Sequence, residues 1–329
     1  MALIENINTK KVVYLKSYHT LGRNPKKCDT CLIQKDISNI HASIRWEGSH
    51  WIIYDHSSKN GTYIIQKNIP RIKSIKLTPE MIIRFGGFPD ACWKVIDLDP
   101  PVPCLVASAD NRKIIKLESH NVFPDKDNPE VTIISPEPGR WRLEKDDTIE
   151  FLSNDEILEI GSDFWRCRNL FLEDSTIDNT GINPVTAISL SELQYTFKVS
   201  LDEENVTITI LSDTEKFELG DKAHHYLLVT LARQKIKDGK CDWPSTEHGW
   251  ISMDEITQML DMNKEHINVQ IHRAREQIKE LASIDHPQFY YLDVIERKTG
   301  KIRLGISKIK IYSASGLEGT YGFDDSCKE

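Results

Sequence analysis

The apolar and polar positions of this chain fall into three successive rhythms. From residue 1 to about 98, short runs such as "KVVYLK", "HASIRWE", "WIIYD", "GTYII" and "MIIRFG" are rich in β-branched and aromatic residues and are divided by Gly, Pro, Asn and Ser turns. Such runs predict strands, and their number, with no amphipathic helix between them, predicts an all-β sandwich over 1–98. After a proline-rich break, "DLDPPVPC" (97–104), a second β-rich stretch spans 102–172. Within it "LSNDEILEIGSDFWRC" (152–167) repeats the plan of "LTPEMIIRFGGFPDACWKV" (77–95), and another Trp-led run, "WRLEK" or "WIIYD", lies upstream of each. A duplicated sandwich accounts for that repeat; an irregular β extension of the first domain is the rival.

The third rhythm is α+β. "STIDNTGINPVTAIS" is polar, with Gly and Pro, and predicts a linker over 173–191. In the following 192–315, "YTFKVS", "VTITIL" and "KFEL" alternate as a small antiparallel sheet. "DKAHHYLLVTLARQKI" then has helical spacing, and "SMDEITQML" opens on Ser252 with Glu255 three residues on, the signature of a capping box. In "NKEHINVQIHRAREQIKELA", Ile267, Ile271, Ala274, Ile278 and Leu281 recur every three or four residues as a buried stripe. "FYYLDVIERKTGKIRLGISKI" closes the segment as two strands around a Thr-Gly turn. Sheet, three helices and hairpin in that order is a winged-helix plan.

Composition narrows the function classes. A length of 329 residues predicts two or three domains. With 42 basic against 50 acidic residues the net charge is −8, so any nucleic-acid contact has to be local. No apolar run approaches the ~20 residues of a membrane helix. The N-terminus lacks a basic region ahead of an apolar core, so no secretory signal is expected. Seven scattered cysteines fit a reducing cytoplasm better than a disulfide framework. Cys28 and Cys31 have the spacing of a metal knuckle, but no second Cys/His pair follows, so neither metal nor cofactor is expected. Without a nucleotide loop, a His-Glu-x-x-His or a nucleophile elbow, the chain does not read as an enzyme.

The polar residues of the first segment carry the clearest chemistry. "LGR" (21–23), "SNIH" (38–41), "DHSSKNGT" (55–62) and "IIRFG" together resemble a forkhead-associated (FHA) domain over residues 10–98. The resemblance implies an eleven-strand sandwich whose loops bind phosphothreonine. A phosphate of nearly two negative charges requires charge-assisted donors. Arg23 offers a forked guanidinium, Ser38 a hydroxyl, and Asn39 and Asn60 amides, while Gly61 permits the turn that aims Asn60. By family analogy His41 braces the loops and does not touch phosphate. Lys59 stands where many members carry Thr or another small residue; it either adds charge to the pocket or is solvated. Ile65 replaces an Asn common in the family, which alters peptide-backbone contacts while leaving phosphate binding intact. Asp36 is expected to disfavour acidic residues a few places after the phosphothreonine. The stretch 102–172 has no counterpart of "LGRNP", "SNIH" or "NGT", so it reads as a degenerate FHA-like domain without a phosphate site.

In the third segment, "INVQIHRAREQI" resembles the recognition helix of OmpR-type response-regulator effector domains, over about 192–312. Asn268, His272, Arg275 and Lys279, with Arg273 beside them, occupy a face that would reach base edges. Arg297, Lys298, Lys301 and Arg303 surround one turn as a basic wing suited to phosphates. The wing lacks the Gly-x-Gly-Tyr ending common in that family. The expected protein is a cytoplasmic, bacterial regulator that reads a phosphothreonine made by a Ser/Thr kinase and binds DNA, the two coupled either by recruitment or by a change in homodimerisation, since tandem half-sites are usual for such modules. The alternative is a phosphopeptide-dependent scaffold whose winged helix contacts protein.

Overall fold

The computed structural model describes residues 1–65, 71–87, 91–110, 113–137, 139–145, 148–170, 193–212, 215–282, 289 and 292–323. The linker expected over 173–191 lies outside them. The described residues form two compact units, one of 1–117 with 152–170, the other of 118–151 with 193–323. The stretch 102–172, expected to be one domain, is therefore divided between the units.

The first unit opens with a pair of five-stranded sheets. One has the order β2 (Val12–Tyr14), β1 (Leu3–Asn6), β10 (Cys92–Asp97), β9 (Ile82–Phe85), β7 (Thr62–Ile64); the other has β4 (Thr30–Cys31), β3 (Tyr18–Gly22), β5 (Ala42–Glu47), β6 (His50–Asp55), β8 (Ser74–Lys76). Alternation decides which side chains go inward. In β6, Trp51 and Ile53 are buried; in β9, Ile83 and Phe85; in β10, Trp93 and Val95. These residues share one core with Ile4, Leu21 and Ile44. Each such apolar side chain contributes about 1.5–3 kcal/mol on burial, enough to hold the polar loops at the strand ends in a fixed arrangement.

The second β-rich stretch makes two four-stranded sheets: β12 (Ile114–Lys116), β11 (Cys104–Ala107), β18 (Asp163–Arg168), β17 (Ile157–Ile160), and β13 (His120–Pro124), β14 (Pro129–Glu137), β15 (Arg140–Lys145), β16 (Thr148–Phe151). Their strand order repeats that of the first stretch. β12-β11-β18-β17 follows β2-β1-β10-β9, and β13-β14-β15-β16 follows β3-β5-β6-β8. Among the described residues nothing corresponds to β4 or β7. Residues 125–128 suffice to join β13 to β14, where residues 23–41 separate β3 from β5.

In the second unit, β21 (Lys216–Asp221), β20 (Val206–Leu211), β19 (Gln194–Val199), β25 (Lys308–Ser313) and β26 (Gly316–Tyr321) form a sheet in that order, with β19 and β25 parallel. Three helices follow β21: α1 (His225–Asp238), α2 (Met253–Leu260) and α3 (Lys264–Lys279). Ser252 and Glu255 close a reciprocal capping box at the start of α2, and the Asn263 side chain accepts from His266 N–H at the start of α3. A small sheet of β22 (Ile251–Ser252), β24 (Lys301–Leu304) and β23 (Ile295–Lys298) carries the basic hairpin. Ile267, Ile271, Ala274 and Ile278 of α3 are buried in the core with Leu231, Ile302 and Ile309. However, Gln270, His272 and Arg275 are buried as well, so α3 is covered on a second face.

Candidate functional site

The first candidate surface lies on the loops at one end of the first unit. Gly22 ends β3, and a Cβ there would stand 2.4 Å from the Asn39 carbonyl oxygen; only glycine lets the two loops approach so closely. The loops are then tied by backbone bonds: Arg23 N–H donates to Ser38 O at 2.9 Å, and Asn24 N–H to Asn39 O at 3.1 Å. Arg23 and Asn39 are both exposed. The Ser38 hydroxyl oxygen accepts from Lys59 N–H at 3.0 Å, which leaves its own O–H free to be donated outward. Asn60 donates its amide to Asp36 O at 2.7 Å. The three loops that carry Arg23, Ser38 and Asn60 are thus joined without consuming the Arg23 guanidinium or the Ser38 proton.

His41 is fully buried beneath them. Its Nδ1 accepts from Ser38 N–H at 3.2 Å, so the ring proton resides on Nε2, which donates to Gly61 O at 3.1 Å. Burial lowers its pKa in spite of the favourable bond to Gly61 and the nearby Asp55 carboxylate, which suits the neutral tautomer. The ring therefore bridges the loop of Ser38 to that of Asn60.

Several supports were not singled out from the sequence. Asp55 accepts from Ser58 N–H at 3.0 Å, from the Ser58 hydroxyl at 2.6 Å, from Thr62 Oγ1 at 2.7 Å and from Arg71 at 3.2 Å. Burial alone would raise its pKa, but these donors more than offset that and hold it below the usual carboxylate range. Ser58 Oγ in turn accepts from Gly61 N–H at 3.0 Å. Asp36 turns its carboxylate to Gly87 N–H at 2.6 Å, so it also serves to fix a loop. The signal for this brace was the spacing of Asp, Ser and Thr within "DHSSKNGT", where three short polar groups can satisfy one another.

Gly61 has φ +78°, and a Cβ there would lie 2.9 Å from Arg71 Cδ and 3.0 Å from the Tyr63 hydroxyl. Gly61→Ala is expected to lower stability by about 1–2 kcal/mol through the left-handed backbone alone, read as a fall in Tm, and to weaken binding at the loop surface as Asn60 is displaced.

The residues expected to face DNA are divided by the second unit. Arg275 is turned inward: its guanidinium meets Glu144 at 2.8 and 3.2 Å, Asp293 at 3.0 Å and Ile295 O at 2.6 Å. His272 is buried against the His120 ring. Asn268 accepts from Arg297 at 2.6 Å, Arg297 also approaches Glu144 at 3.4 Å, and Lys279 pairs with Glu118. Arg303 binds Glu296 at 2.6 Å and stacks 4.5 Å from the Trp250 ring centroid. The physical reason is charge: Glu118, just before β13, and Glu144 of β15 bring carboxylates to the polar face of α3. Burial alone would raise the Glu144 pKa, but Arg275, Arg297 and Arg142 hold it well below the usual range. Arg273 and Lys301 remain exposed, and Lys298 is partly so, 4.3 Å from Trp250.

No helix among the described residues is long and apolar enough to cross a membrane. The FHA-domain family model matches residues 19–86. No curated protein matches the sequence. Among solved structures, the FhaA FHA domain complexed with the intracellular domain of Rv3910 is 22% identical, covering 29% of this chain and 99% of that one, with a TM-score of 0.26. The FHA domain of the CT664 protein from Chlamydia trachomatis is also 22% identical, over 29% and 96% of the two chains, at 0.26. Mycobacterium tuberculosis EmbR in complex with a low affinity phosphopeptide is 22% identical over 30% of this chain but 25% of its own, again at 0.26.

Proposed function

We propose, from the premise that residues 19–86 are an FHA domain, that the chain binds proteins carrying phosphothreonine through Arg23, Ser38, Asn39, Lys59, Asn60 and Gly61. The observation that carries this reading is the joining of three loops with the Arg23 and Ser38 donors unspent: Lys59 N–H fixes the Ser38 oxygen, and Arg23 is anchored by its backbone alone. A phosphate arriving there meets a guanidinium and a hydroxyl at once, in bonds about twice as strong as neutral ones. Asn60, already oriented by Asp36, keeps its side-chain oxygen for the peptide backbone. Lys59 adds a mobile positive charge at the rim. The phosphopeptide is the product of a Ser/Thr kinase, and no step at this surface requires catalysis.

For the second unit we propose a winged-helix-like module that works through protein contact, making the chain a phosphopeptide-dependent scaffold. Burial of Arg275 with Glu144 favours this use, because the group best suited to a guanine edge is already bound to carboxylates. Transcriptional regulation by DNA binding is the second reading, favoured by the exposed Arg273 and Lys301; it requires the β13–β16 sheet to leave α3. Binding of genomic DNA fragments against salt separates the two. The scaffold predicts no selected fragment at moderate salt. Selected fragments with a steep salt slope would establish the regulator.

A further inference from the structure

We propose that His120, His272 and Glu276 form a binding site for a divalent transition-metal ion of the zinc type. His272 and Glu276 are one turn apart on α3 and so share a face, and His120, the first residue of β13, meets them there. One donor atom from each of the three lies within 4.8 Å of the other two. His120 Nδ1 stands 3.3 Å from Glu276 Oε1, and the two imidazole centroids are 4.9 Å apart.

Burial makes this cluster unlike a surface trio. His272 is 4% exposed and the His120 side chain 7%. Yet His120 Nε2 and His272 Nδ1 have no hydrogen-bond partner among the described residues. An unsatisfied buried polar atom is costly, and two of them in a cluster that also holds a carboxylate point to a ligand that takes lone pairs.

Two imidazoles and a carboxylate are a donor set for zinc with an open position, and for cobalt or nickel; calcium and magnesium prefer oxygen alone. Metal–nitrogen bonds of 2.0–2.1 Å place donors about 3.4 Å apart at a tetrahedral ion, so the widest pair of the cluster closes by at most about 1.4 Å on binding. Lys126 bonds the second Glu276 oxygen at 2.6 Å and can stay there while Oε1 turns to the ion. The charge of neighbouring Arg275 is matched by Glu144 and Asp293. Because two ligands belong to α3 and one to β13, a bound ion would tie the covering sheet to the helix.

Co2+ titration of the full chain, stripped with chelator, tests the site. One Co2+ per chain is expected, with a visible ligand-field band, no thiolate charge-transfer band, and displacement by Zn2+. His120→Ala and His272→Ala should each weaken binding at least about 10-fold, the loss seen even for outer-shell partners of metal ligands. Glu276→Gln, which keeps the side-chain length, should weaken it also, while Cys28→Ser with Cys31→Ser should leave it unchanged. Zn2+ should raise the Tm of the wild type and leave that of His272→Ala where it was. Equal Co2+ uptake by the wild type and a His120→Ala/His272→Ala double variant would overturn the proposal. So would a thiolate band abolished by the cysteine substitutions.

Discussion

Arg23→Ala is expected to weaken binding of a phosphothreonine peptide by about 30-fold or more while leaving the fold intact. Truncating one partner of a hydrogen-bonded charge pair in an interface costs about 2–5 kcal/mol, much of it the penalty of leaving the other charge unmatched. Here that charge is a phosphate, and Arg23 is its one guanidinium among the loop residues assigned to contact it. The side chain is exposed, and its loop is held by Arg23 N–H to Ser38 O, a bond alanine retains. Anisotropy titration with labelled peptide measures the loss, and thermal unfolding shows whether the domain survived. Equal affinity in mutant and wild type would remove Arg23 from the site.

Glu144→Ala should destabilise the second unit by about 3–5 kcal/mol, the usual consequence of stranding a buried charge. Glu144 is 2% exposed and is the carboxylate that Arg275 grips with two nitrogens, with Arg142 and Arg297 beside it. Denaturant unfolding followed by tryptophan fluorescence gives the number, and phosphopeptide affinity should not change. A loss below about 1 kcal/mol would mean that the pair behaves as an exposed ion pair. The pH dependence has a definite sign. The folded carboxyl titrates below its unfolded value, so its contribution is complete above about pH 4.3 and is lost only as pH falls beneath that. Mild acid should therefore leave this network closed.

How much of this could be read from residues alone differs between the units. That the loops of Arg23, Ser38 and Asn60 come together was legible, because these are short or forked polar groups where strands alone need none. Their support was legible in part: Ser58 and Thr62 meet Asp55 within "DHSSKNGT", whereas the bond from Arg71 comes from outside that run and no spacing reveals it. In α3 the apolar stripe of Ile267, Ile271, Ala274 and Ile278 was readable by period. The opposite face was not. Arg275 and His272 have the chemistry of a reading face, and only the approach of Glu144 and His120, distant in sequence, puts them in a protein interior. The same long range hid the boundary of 102–172. Local alternation identified its strands, and the repeat at 152–167 anticipated the duplicated strand order. It could not say that β13–β16 would join the later unit. β26 lies past the expected end at residue 315 because it pairs with β25, which "GLEGTY", mostly exposed and without apolar alternation, gives no sign of.

The most direct test of the central claim is selection from two peptide libraries identical except for phosphorylation of a fixed threonine, using the full chain as bait. Phosphothreonine recognition predicts retention of the phosphorylated library and its release by Ser38→Ala or Arg23→Ala. Equal retention of both libraries by the wild-type chain would contradict it.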